Sequence, residues 1–125
     1  MVLSAVSFWV LPTFSLCSIS KLPFEIESVK YLSYWGNLAE IKYIGETQSC
    51  IFRQSLGEED NSGDYNKYDV IEEHNINGID VLLKGESRDK FISACWINDG
   101  KYFYMRFSNS VTLEMYENII SNIIE

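Results

Sequence analysis

The sequence is poor in the residues from which active sites are commonly built. It holds one histidine, His74, and two prolines, Pro12 and Pro23. Its three cysteines, Cys17, Cys50 and Cys95, show no CxxC or Cys/His spacing, which argues against a zinc site. An odd number leaves at least one thiol free. Cys50 and Cys95 lie in apolar, strand-like runs, where cysteine behaves as a small hydrophobe. The glycines are scattered through turns and form neither a phosphate-binding loop nor a nucleophile elbow. Basic residues are also few, ten against eighteen acidic ones, for a net charge of -8. A chain of that sign repels phosphate backbones and anionic membrane surfaces, so no nucleic-acid partner is expected. Residues 1–19 are largely apolar, but Pro12 and the Ser and Thr residues interrupt them, so no membrane insertion is expected. No Lys or Arg precedes Lys21, so the positive segment of an export signal is missing and a cytoplasmic location is expected.

What is present describes one domain over residues 1–125. The length is enough for a core without metals or disulfides, and no cofactor is expected. Aromatics make up 14% of the chain, which suits a half-buried sheet. The expected fold is α+β: a mostly antiparallel, twisted sheet of meanders and hairpins, with a short N-terminal helix and a C-terminal helix packed on it.

Val6–Val10 reads as a first strand ended by Pro12, and Thr13 as the cap of a brief helix through Phe14, Leu16 and Ile19. Phe24 and Ile26 alternate with Glu25 and Glu27 as a half-buried strand. Val29 and Tyr31 fall out of phase with that pair, which a bulge or bend near Ser28 would explain. Gly36-Asn37 and Gly45–Gln48 turn a β-meander whose later strands are Leu38–Ile44 and Ser49–Gln54. Tyr68–Ile76 forms a hairpin with the run from Ile79 across Asn77-Gly78, both of which tolerate positive φ. Lys90–Ile97 and Lys101–Phe107 form another across Asn98-Asp99-Gly100, with Ala94–Ile97 apolar enough to be covered on both faces. Leu113, Tyr116, Ile120, Ile123 and Ile124 make the apolar stripe of a helix capped by Thr112, with Val111 and Tyr116 as its staple.

Several segments together resemble a known family. Leu38–Tyr43 (LAEIKY), Arg53-Gln54-Ser55 through Gly57-Glu58-Glu59-Asp60, and Ser62–Tyr68 (SGDYNKY) carry the likeness. So do Asn77-Gly78 with Val81–Gly85, and Ala94-Cys95-Trp96 with Asp99-Gly100 and Tyr104. Over about residues 22–124 the chain resembles a bacterial domain of unknown function, the one numbered 4367, common in clostridia and their relatives. The resemblance implies an antiparallel sheet with a C-terminal helix and no established catalytic residues. It also implies an extracytoplasmic setting in some members, since relatives look secreted or membrane-tethered.

Three candidate sites remain. Tyr34, Trp35, Tyr65 and Tyr68 lie nearest to turns and, with Asp60 and Asp64, form the expected binding set for an unknown protein or small ligand. Asp60, Ser62 and Asp64 alternate oxygen-bearing side chains, as calcium loops do, within an acidic stretch over 58–64. The order departs from an EF-hand, and a series of Asx turns explains the same pattern. Cys50 and His74 are the remaining pair for a small hydrolase, with no local signature behind them. The favoured expectation is a non-catalytic binding module.

Overall fold

The computed structural model describes residues 3–8, 16–34 and 37–123, with residues 3–8 as backbone alone. Trp9, Val10, Pro12, Thr13, Phe14, Trp35, Gly36 and Ile124, all invoked above, lie outside the described residues. Among the described residues eight strands and one helix follow in chain order: β1 Leu3–Phe8, β2 Ser28–Tyr34, β3 Leu38–Ile44, β4 Ser49–Leu56, β5 Val70–Ile76, β6 Ile79–Gly85, β7 Lys90–Asn98, β8 Lys101–Thr112 and α1 Leu113–Ser121.

The strands form a single sheet in the order β1-β2-β3-β4-β8-β7-β6-β5. Only β1 on β2 is parallel; every other pair is antiparallel. Two meanders, β2-β3-β4 and β5-β6-β7-β8, therefore meet where the last strand lies beside β4. Two-residue turns close two of the three hairpins of the second meander, β5-β6 and β7-β8. Asn77 and Gly78 have φ of 51° and 87°, and Asp99 and Gly100 have 51° and 73°, the left-handed values such turns need.

One face of the sheet carries the core. Val29, Ile41, Tyr43, Cys50, Phe52, Val81, Leu83, Ala94, Trp96, Phe103, Met105 and Phe107 all point to it and are buried. Phe52, Trp96 and Phe103 stack with ring centroids 5.4–6.2 Å apart. Helix α1 covers this face with Tyr116, Ile119 and Ile120; Ile119 joins the stripe that the sequence already marks. The Tyr116 hydroxyl donates to the Phe91 carbonyl at 3.1 Å, and its ring meets the Phe107 ring edge-on. Thr112 caps the helix by accepting from the Met115 amide at 3.3 Å. Thr112→Ala is expected to lower unfolding free energy by about 1 kcal/mol, read from the urea midpoint at unchanged slope.

Three local expectations need correction. Leu16–Ile19 form no helix. Their backbone groups bond to side chains of the sheet instead: Gln54 accepts from the Cys17 amide at 2.7 Å and donates to the Cys17 carbonyl at 2.8 Å, and the Tyr43 hydroxyl accepts from the Ile19 amide at 2.9 Å. Tyr43→Phe would orphan that buried amide, and a loss of roughly 1–2 kcal/mol is expected, with faster hydrogen exchange at Ile19.

Phe24–Glu27 form no strand either. Phe24 and Ile26 pack against the core cluster from outside the sheet, which is why their phase disagrees with β2. The chain bends at Glu27, beside Ser28, while register irregularities fall at Leu3/Ala5 in β1 and Phe91/Ser93 in β7. Beside the second of these the backbones close up. A Cβ on Gly85 would stand 2.6 Å from the Lys90 carbonyl oxygen and 2.9 Å from the Phe91 Cα, so only glycine fits there. Strand β8 also runs to Thr112 rather than Phe107: Ser108 accepts from the Ser49 amide, and the Asn109 amide donates to the Gln48 side chain.

Candidate functional site

The strand order dictates what covers the opposite, outer face. Strand β4 ends beside β8, but β5 lies at the far edge, four strand spacings away, roughly 19 Å. Residues 57–69 must make that crossing, and they do so over the outer face. Across that face the register sets the side chains in rows. One row runs Glu40–Arg53–Tyr104–Cys95–Leu82, and the next Lys42–Ile51–Arg106–Ser93–Lys84.

Two arginines strap the crossing down. Arg53 donates from Nε to Glu40 at 2.8 Å and from Nη1 to the carbonyls of Asn61 and Ser62, each at 3.0 Å. Arg106 donates from Nη1 to Asp64 at 3.2 Å and to the Tyr68 hydroxyl at 3.0 Å. Tyr68 also donates to Asp64 in a short hydrogen bond. Asn61 adds bonds from its amide nitrogen to Ser55 Oγ and to the Tyr102 carbonyl.

Within the crossing, side chains on alternate residues cap the backbone two residues on. Asp60 accepts from the Ser62 amide, Ser62 from the Asp64 amide, and Asp64 from the Asn66 amide. The alternation of oxygens that calcium loops share is thus a ladder of Asx and Ser turns here. No group of three or more His, Cys, Asp or Glu is gathered as a metal-ion cage among the described residues.

Burial pushes the Asp64 carboxyl up, but the hydrogen bonds from Tyr68 and Asn66 and the charge of Arg106 outweigh it. The net shift is below the ordinary carboxylate value. Burial, then the bond to Asp64, raises the Tyr68 phenol.

The expected binding residues therefore divide. Asp64 and Tyr68 are half-buried parts of the strap, and Asp60 is exposed and turns its own loop. Tyr65 is 96% exposed. Tyr34 ends β2, half-buried, two strands from Ser55, where Asn61 of the strap is bound. Cys50 and His74 are not brought together. They stand on β4 and β5, and the register aligns His74 with Gln54 through Val81, Trp96 and Phe103 rather than with Cys50. The Cys50 thiol has no exposure, and burial raises its pKa far above that of a usable nucleophile. His74 Nε2 lies 3.1 Å from Glu72, beside the ring of Phe91.

Beyond the strap, near the Asn77-Gly78 turn, the outer face opens into a trough of about 480 Å³. Ile79, Leu82 and Ile97 supply apolar lining, and Asp80, Cys95 and Tyr102 supply polar groups. Tyr102 touches both Cys95 and Asp60. Its phenol is raised by burial first, then by those two neighbours. The Cys95 thiol is likewise raised, chiefly by burial. These residues were missed as a site because they belong to three strands and no motif. Their signal is the outward phase of Leu82, Cys95 and Ile97, apolar where a solvated face would be polar.

No family model, curated protein or solved structure matches the chain. Among the described residues no helix is long and apolar enough to cross a membrane.

Proposed function

We propose that the protein is a non-catalytic binding module whose outer sheet face receives an apolar segment of a partner protein carrying a basic residue. The trough carries this reading. It combines apolar side chains with two hydrogen-bonding tips, Cys95 and Tyr102, and carboxylates at its margin, Asp80 in the lining and Asp60 against Tyr102. Its size suits a few side chains of a peptide. Ile97, 44% exposed, presents its apolar side chain on this face at the same end of the sheet. The net charge of -8 favours approach of a basic segment. The strap serves this role by covering the neighbouring rows and leaving the trough as the open part of the face.

The test is selection from a displayed peptide library, followed by amide shift mapping of the enriched sequences. Apolar–basic peptides should be enriched, with shifts at Leu82, Cys95, Ile97 and Tyr102 and loss of binding on Leu82→Arg. Enriched peptides that map to another surface, or no enrichment at all, would overturn the reading.

A further inference from the structure

We propose that a second, separate site binds a small oxyanion, a carboxylate or phosphate group, between Arg53 and Arg106 beneath the strap. The two arginines are diagonal neighbours on the outer face. Arg53 stands opposite Tyr104 and Arg106 opposite Ile51, so the four make a square across β4 and β8. Ser62, Gly63, Asp64 and Asn66 flank that square, and together they line an open pocket of about 240 Å³. This volume suits one oxyanion group with a little of its carrier.

The donors are present. A guanidinium has five N–H groups in a fixed fork that matches carboxylate and phosphate oxygens. Arg53 uses Nε on Glu40 and Nη1 on two strap carbonyls, so its Nη2 has no partner among the described residues. Arg106 uses both Nη1 hydrogens on Asp64 and Tyr68, which leaves three N–H groups, with the Tyr104 hydroxyl beside the guanidinium. Glu40 and Asp64 balance the two positive charges from the flanks. Binding therefore draws on unspent hydrogen bonds rather than on excess charge, and it is expected to be weak and selective for forked acceptors over chloride. The lining shares no residue with the trough, so this site stands or falls independently of the peptide reading.

The experiment titrates the labelled full chain with sodium phosphate, and separately with sodium acetate, against sodium chloride at matched ionic strength. Amides of Gly63 and Asn66 and the Nε signals of Arg53 and Arg106 are followed. Saturable shifts with phosphate, with acetate or with both support the site and say which carrier class it prefers. Ile51→Glu places a carboxylate in the cavity without touching a strap contact and should weaken binding by about tenfold or more; Ile51→Ala should retain it. Shifts that follow ionic strength alone overturn the proposal, as do saturable shifts elsewhere or binding that Ile51→Glu leaves unchanged. If Ile51→Glu does not fold, the location of the saturable shifts in the wild type decides.

Discussion

Gln54→Leu is expected to cost roughly 3–4 kcal/mol of unfolding free energy, the largest loss of any single change considered. The side chain is fully buried and its amide holds both backbone groups of Cys17. Leucine nearly preserves the volume but answers neither group. Each orphaned polar group costs about 1–3 kcal/mol, out of a total near 5–15 kcal/mol for a domain. Urea unfolding reads the loss, and hydrogen exchange reads its place. The Cys17 amide should exchange faster, while amides of Leu83 and Met105, elsewhere in the core, follow global stability alone. A loss under 1 kcal/mol would mean that residues 16–20 are held to the sheet by other contacts.

The second large effect concerns Asp64. Asp64→Ala removes the acceptor shared by Tyr68, Asn66 and Arg106, and leaves a guanidinium and a phenol without their carboxylate. The expected loss is about 2–3 kcal/mol, accompanied by protease cleavage within residues 60–68. The wild-type carboxyl is depressed in the folded state, so the unfolded chain binds more protons over the window between the two pKa values. Stability from Asp64 is therefore complete above the unfolded value of about 3.9 and is lost as pH falls through the lower folded value. Asp64→Asn should flatten that acid limb. An unchanged limb would assign it to other carboxylates.

Much of the fold is legible in the sequence, for identifiable reasons. Asn77-Gly78 and Asp99-Gly100 announce their hairpins because few residues accept positive φ, and Thr112 with the stripe after it announces the helix. What is not legible depends on distant partners. Leu16–Ile19 carry a helical apolar spacing, yet Gln54 and Tyr43, remote in sequence, claim their backbone groups. Phe24 and Ile26 alternate like a strand but only pack on one. The site shows the same division. Asp60, Ser62 and Asp64 stand out as a pattern, and either a metal or a turn explains it until the donors to each oxygen are known. Arg53 and Arg106 are unremarkable singly; the pairing of β4 with β8 makes them neighbours.

That same pairing has a consequence for synthesis on the ribosome. The strand that joins the two meanders is the last one translated. Until residues 101–112 leave the exit tunnel, β4 and β7 each present an unpaired edge and the core face lacks Phe103, Met105 and Phe107. A nascent chain halted before Lys101 thus exposes two edges open to pairing with other chains. The domain closes from its middle, and only at the end.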